Sequence, residues 1–309
     1  VSAMKSPRVV VRASAKINLN LSVGPLRKDG YHDLATVYQA ISLCDEVIVQ
    51  FGDPATGITL SLSGDFVQGV PTDERNLAYR AAGIVAKEMR LAPDISIHIN
   101  KAIPVAAGLA GGSADAAAAL VAVDQLLGGN LGRSRLNEFA TELGSDVPFA
   151  LAGGTAIGSG RGESLSPALA RGEYHWVLVI SSQGLSTPAV YAECDRLRQG
   201  REIATPRVTD ALMHALRNGD ASALGKALMN DLQSAACSLR PALRLLLDVG
   251  EEYGALGSII SGSGPTVAFL ARDAEHALDL TVALSASGVA GQILRAVGPT
   301  SGARVIESR

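Results

Sequence analysis

The run Pro104-Val-Ala-Ala-Gly-Leu-Ala-Gly-Gly-Ser-Ala-Asp115 has the composition of a loop that meets an anion. Gly108, Gly111 and Gly112 carry no Cβ, so backbone N–H groups there are free to wrap a phosphate. A helical pattern follows from about Ser113 to Leu127 and aims its positive end at the same point. The run is not a Walker A loop, because Gly111-Gly112 leads to Ser113 and not to Lys. A second reading stays open, a glycine turn ahead of a buried helix, since Ala116 to Leu120 would suit any core.

Phosphoryl transfer asks a protein for positioning, for charge neutralisation and for a group that takes the nucleophile's proton. Two residues are candidates for that last task. Lys16, in Ser14-Ala-Lys-Ile-Asn18, sits among apolar neighbours at the start of a strand pattern. It either snorkels at a strand end or points into a site. Asp146, in Gly144-Ser-Asp-Val-Pro148, follows a helix pattern; it either bonds its own backbone in a turn or acts as a base.

Strands and helices must hold these groups. Residues 9–12 and 17–23 read as strands, the second alternating Ile17, Leu19, Leu21, Val23 with Asn18, Asn20, Ser22. A loop with the turn pair Asp29-Gly30 separates them from strands at 34–43, 46–51 and 58–62. Residues 75–90 read as a helix, 95–99 as the strand feeding the glycine loop, and 134–143 as a helix capped by Gly144. Ser145 to Pro148 breaks the pattern and glycines punctuate 153–162, which places a domain boundary there and divides the chain into 1–157 and 158–309. Beyond it come a strand at 176–180, helices near 188–199, 208–217, 221–230 and 241–253, and a strand at 256–260. A second glycine turn (Ser261-Gly-Ser-Gly-Pro-Thr266), a strand at 267–270, a helix to Ser285 and a strand near Ile293 complete an α+β pattern.

Taken together, these motifs resemble the GHMP kinases (galactokinase, homoserine kinase, mevalonate kinase, phosphomevalonate kinase). Residues 104–114 resemble the second motif of that family, and residues 261–266 its third. Ala15-Lys-Ile-Asn-Leu19, Asp29-Gly-Tyr-His32 and Gly144-Ser-Asp-Val-Pro148 are similar to the branch acting on a cytidine-diphosphate-linked methylerythritol in the non-mevalonate route to isoprenoids. The match runs in order along nearly the whole chain.

The resemblance implies an α+β, two-domain architecture with an N-terminal ATP-binding domain and a C-terminal α/β substrate domain. It implies an ATP- and Mg2+-dependent kinase for the 2-hydroxyl of that substrate. Asp146 would be the general base, and Lys16 would hold Asp146 ionised and polarise the hydroxyl. Pro104, Val105, Ala106, Ala107, Gly108, Leu109, Ala110, Gly111, Gly112, Ser113 and Ala114 would grip ATP, with Asn76, Leu77 and Lys101 around its adenine. Asn18 would orient the methylerythritol, while Tyr31 and His32 read the cytosine and Tyr191 stacks on it. Ser263 and Gly264 would also meet this substrate, and Mg2+ would lie near Ser113 and Asp146. Tyr31-His32 as a surface turn and Tyr191 as a buried helix face are the structural alternatives. Ala110 and Ala114 depart from the family pattern, which often has Gly and Ser there. The first restricts the backbone, and the second removes a hydroxyl that could serve phosphate or metal.

Composition bounds the rest. The chain has 309 residues, 47% hydrophobic and 18% charged, enough for real cores. A net charge of −3 without basic runs argues against nucleic acid or a membrane surface as partner. Cys44, Cys194 and Cys237 show no paired spacing, and Val1 to Arg12 holds no signal-peptide core, so a cytoplasmic protein without disulfide or zinc is expected. A monomer or weak homodimer is the expected state. Rival readings are a kinase of the same family for another small alcohol and a nucleotide-binding sensor without catalysis. A hydrolase lacks its Gly-x-Ser-x-Gly elbow.

Overall fold

The computed structural model describes residues 7–129, 131–181, 183–288 and 291–308. In order, the chain forms β1 (Arg8–Leu26), β2 (His32–Phe51), β3 (Ile58–Gly64), α1 (Leu77–Glu88), β4 (Ile95–Lys101), α2 (Gly111–Leu126), α3 (Gly132–Leu143), α4 (Val147–Ala152), β5 (Thr155–Gly160) and β6 (Ser164–Pro167). There follow β7 (Tyr174–Ile180), α5 (Thr187–Leu197), α6 (Asp210–Asn218), α7 (Ala221–Ala227), the short β8 (Met229–Asn230), α8 (Gln233–Leu239), α9 (Ala242–Glu252), β9 (Gly257–Ile260), β10 (Val267–Ala271), α10 (Ala274–Ala286), β11 (Gln292–Gly298) and β12 (Arg304–Ser308). The first six residues of the segment Val1 to Arg12 lie outside the described residues.

One sheet has the order β12-β1-β2-β4-β3, with β5 and β6 continuing from β2 and β8 lying parallel to β1. The second is antiparallel, β11-β7-β10-β9. Helix α2 packs on the first sheet and is buried nearly all round, including Ala114, Ala116, Ala117, Ala118, Ala119 and Ala122. Alanine suits that place, because a helix touched on every side must be thin as well as apolar. The main core runs from Ile17, Ile97 and Leu120 to Trp176, Leu178 and Leu224, so both halves of the chain share it. A second core (Val177, Val190, Leu232, Phe269, Leu280) lies on the other face of the second sheet.

Several expectations change. Segments 9–12 and 17–23 are one strand, as are 34–43 and 46–51. The strand runs on through Asp45, which pairs with Ala13 and whose buried carboxylate accepts the N–H groups of Ala102 and Ile103 at 2.6 and 2.8 Å; the register shift lies just before it, at Ser42 and Leu43. The break expected at Ser145 to Pro148 instead begins α4, whose first turn tolerates Pro148 because its N–H would be unpaired there anyway. Residues 157 and 158, where the sequence suggested a boundary, both lie inside β5 and pair with β2. Glycines that resembled linker punctuation let this hairpin close on Tyr38. A Cβ on Gly158 would lie 2.7 Å from its ring, and one on Gly162 would lie 2.2 Å from its hydroxyl. The C-terminal β12 returns to pair with β1, and α8 stands where no helix was expected.

Candidate active site

β1 carries Lys16 and Asn18 into a cleft of about 560 Å³, whose opposite wall is the glycine loop ahead of α2. Backbone bonds lock strand and loop together, with Lys16 N–H donating to Leu109 O at 3.1 Å. The ammonium of Lys16 donates to Asn18 Oδ1 at 2.7 Å and to Gly108 O at 3.1 Å, and lies 3.9 Å from Asp146 Oδ2. Asn18 in turn donates to Thr36 Oγ1 at 2.8 Å, which fixes its amide. Burial lowers the Lys16 pKa, partly countered by Asp146. The alternative of a snorkelling Lys16 is therefore set aside, because its side chain is only 8% exposed and lines the cleft.

Asp146 is the N-cap residue of α4, yet its side chain makes no capping bond. Its carboxylate is instead turned to the cleft, where the Tyr38 hydroxyl donates to Oδ1 at 3.3 Å. Burial and the neighbouring Asp146 charge raise the Tyr38 pKa well above its usual value, which keeps the hydroxyl a donor. Sequence reasoning missed Tyr38. No local signal marked it, because Asn18, opposite it on the neighbouring strand, and Asp146, which it bonds, lie far from it along the chain.

The glycine loop ends at Ala110, which sits in the left-handed region (φ 59°) and starts α2. The first N–H groups of α2 have no partners within the helix, and Gly111, Gly112 and Ser113 all line the cleft. The second glycine turn braces the first. Ser261 Oγ donates to Gly108 O at 2.9 Å, and a Cβ on Gly108 would lie 2.2 Å from Ser261 O. Gly262 beside the Lys16 ammonium has φ +58°, so close approach calls for glycine at Gly108 and the left-handed backbone favours it at Gly262.

The cleft also gathers Asn76, Leu77, Lys101, Pro104, Val105, Ala106, Ala107, Tyr191 and Ser263. Asn76 is at once the cap of α1, its Oδ1 accepting from Ala78 N–H at 2.9 Å. Ser263 Oγ is 2.8 Å from Thr187 Oγ1. Five expected site residues do not line this cleft: Leu109, Ala114, Tyr31, His32 and Gly264. Leu109 and Ala114 are core residues, and the Ala114 N–H is taken by Ala110 O at 2.9 Å. A serine at 114 would thus place its hydroxyl in the core, so the missing hydroxyl removes nothing from the cleft. His32 is buried, 2.9 Å from Asp195 Oδ1, with its ring 5.1 Å from that of Tyr191. Tyr31 is exposed and carries the guanidinium of Arg161, a cleft residue the sequence did not single out, 4.9 Å over its ring.

Lys101 reaches the cleft differently. Its ammonium is clamped between Asp45 Oδ2 at 2.5 Å and Asp115 Oδ2 at 2.7 Å, all three residues being buried. Among the described residues no group of three or more His, Cys, Asp or Glu side chains could hold a metal, and no helix is long and apolar enough to cross a membrane.

The chain belongs to the GHMP kinases: residues 76–154 match the GHMP kinases N terminal domain and residues 212–290 the GHMP kinases C terminal family. Membership in this kinase family implies ATP as the phosphoryl donor. Over 99% of both chains it is 52% identical to a protein of Nocardia farcinica named 4-diphosphocytidyl-2-C-methyl-D-erythritol kinase. A protein of the same name from Thermobifida fusca is 54% identical, with 96% of this chain and 98% of that one covered. A solved 4-(cytidine 5'-diphospho)-2C-methyl-D-erythritol kinase superposes with TM-score 0.74 at 32% identity, covering 93% of this chain and 98% of that one.

Proposed function

We propose that this chain transfers the terminal phosphoryl group of ATP to the 2-hydroxyl of 4-diphosphocytidyl-2-C-methyl-D-erythritol. The observation that carries this reading is the Lys16–Asp146 pair, 3.9 Å apart, in one cleft with the glycine loop. Asp146 takes the hydroxyl proton as the oxygen attacks the terminal phosphorus. The new O–P bond forms as the bond to the bridging oxygen breaks, and ADP leaves with that electron pair. The Lys16 ammonium faces the Asp146 carboxylate and neutralises charge growing on the transferred group. Asn18 orients Lys16 and the alcohol. The N–H groups at Gly111 to Ser113 hold the phosphates and Asn76 and Leu77 flank the adenine, while Lys101, expected beside the base, is held by Asp45 and Asp115 against Gly111 and supports the loop.

For the second substrate, Tyr191 offers a flat face on the cleft wall, with His32 behind it and Tyr31 at the rim. The oxygen donors on the wall, Ser113 and Asp146, suit a hydrated Mg2+ that takes most of its ligands from phosphates and water. Bound there, the ion would neutralise phosphate charge. The free thiols of Cys44, Cys194 and Cys237 fit a reducing compartment, and we place the protein in the cytoplasm, as a monomer or weak homodimer. Release of ADP with the cytidylyl substrate, set against homoserine and mevalonate, tests the assignment. Turnover confined to the cytidylyl compound is expected, and equal or absent turnover refutes it.

A further inference from the structure

Asn230, at the end of β8, belongs to neither glycine motif and does not line the active-site cleft. Its side-chain amide nevertheless holds the second glycine turn from behind. Nδ2 donates to Ile260 O and to Gly262 O, both at 2.7 Å, and Oδ1 accepts the N–H of Leu232 at 2.8 Å. An amide nitrogen carries two N–H donors in one fixed plane, so both are used, one on each side of Ser261. The backbone of Asn230 is anchored as firmly. β8 runs parallel to β1, with Asn20 opposite Met229 and Leu21 opposite Asn230, and the N–H of Asp231 donates to Leu21 O at 2.9 Å. The residue is thus fixed to the strand that carries Lys16 and Asn18, while its side chain grips the turn.

That turn is what the Lys16 ammonium rests against. Ser261 lies between the two gripped carbonyls, and its Oγ donates to Gly108 O at 2.9 Å. The Lys16 ammonium donates to the same oxygen at 3.1 Å. A Cβ on Gly262 would lie 3.3 Å from Asn18 Oδ1 and 3.4 Å from Lys16 Nζ, so the turn backs both side chains at once. Ile260 O and Gly262 O converge on one nitrogen. Without that donor the two carbonyl dipoles repel each other, and the turn loses its reason to stay closed on Lys16.

We propose that Asn230 is a positioning residue for phosphoryl transfer, whose amide pins the Ser261–Gly262 turn to β1 and so sets where the Lys16 ammonium stands between the glycine loop and Asp146. This rests on Lys16 being the lysine of the reaction. Asn230 touches neither substrate and takes no part in the bond changes. Its loss therefore falls on the rate of the transfer step more than on binding, because a small displacement of a reacting group costs rate steeply.

The test is steady-state turnover of the full chain carrying Asn230→Asp or Asn230→Ala, each alone and combined with Lys16→Met. Asn230→Asp keeps the shape and the bond from Leu232, but sets a carboxylate oxygen against two carbonyls. Its kcat should fall about tenfold to hundredfold, with the KM for ATP and for the cytidylyl substrate within about threefold of wild type. Asn230→Ala should act in the same direction and less strongly, since Asn230 borders a cavity of about 490 Å³ from which water can reach the freed carbonyls. In the Lys16→Met background either change should cost no more than about twofold, because the group being positioned is gone. A general structural effect would instead multiply with the lysine substitution. Near-normal kcat in folded Asn230→Asp, large rises in both KM values with kcat unchanged, or the full cost retained beside Lys16→Met would each overturn the inference while leaving the reading of Lys16 intact. Wild-type turnover in Lys16→Met would overturn that reading and this inference with it. Should the Asn230 variants not fold, Ser261→Ala decides, since it removes only the hydroxyl that links the gripped turn to Gly108. A kcat lowered about threefold to tenfold with both KM values kept is expected there, and an unchanged kcat overturns the inference.

Discussion

Two lysine–aspartate groups stand on either side of the same loop, and their contrast explains the site. Lys16 and Asp146 are held 3.9 Å apart, with the carboxylate one-third exposed to the cleft. Lys101 is gripped by Asp45 and Asp115 at hydrogen-bond distance and sealed from solvent. A loose pair at a cavity wall leaves room for a substrate oxygen to come between ammonium and carboxylate. A tight, dry cluster leaves none and instead ties β2, β4 and α2 together. Identical side-chain chemistry thus yields an open pair at a cleft wall in one place, the pair proposed to react, and a clamp in the other, decided by solvent access and spare bonding capacity.

The contrast is open to direct attack. The largest effect should come from Asp146→Asn, with kcat falling by roughly 10² to 10⁴ while binding of an ATP analogue is kept; rapid turnover in that variant would remove Asp146 from the reaction. Lys101→Met should instead strike the fold, destabilising it by about 3–5 kcal/mol in denaturant unfolding because two buried carboxylates lose their counter-ion. Lys16→Met provides the mirror image, a loss of about 10² to 10³ in kcat with under about 1.5 kcal/mol of stability, since water in the cleft reaches Asp146. Equal stability losses in the two lysine variants would erase the distinction drawn here. Next in size, Tyr191→Ala should weaken the cytidylyl substrate by about 1–3 kcal/mol and leave the KM for ATP alone, on the scale of base stacking on an aromatic ring. The smallest change concerns Ala110, whose left-handed conformation is costly for a residue with a Cβ. Ala110→Gly should leave activity within about twofold and raise stability by no more than about 1 kcal/mol, read from the denaturant midpoint.

Much of the site could be read along the chain, because its parts are local. The glycine loop, the helix behind it, Lys16 within an alternating strand and Asp146 after Gly144 each show themselves within a few residues. Tyr38 could not be singled out that way, since its partners Asn18 and Asp146 come from another strand and a distant helix end. Ala114 stood in the motif as a site residue, yet the helix turns it into the core. The hairpin of β5 and β6 stayed hidden because its glycines, required by the bulk of Tyr38, resemble linker residues. The return of β12 to β1 was equally invisible, since strand pairing between chain ends leaves no trace in either segment.

Side-chain order alone dictated the periodic elements, the two glycine turns and the pool of acids and bases, because backbone sterics and hydrophobic alternation act over neighbouring positions. It did not say which acid would meet which lysine. Asp45 and Asp115 precede and follow Lys101 at unequal distances along the chain, and Asp146 lies far from Lys16. Only packing of β1, β2, β4 and α2 against one another chose these partners, and the water left beside each pair then separated chemistry from support.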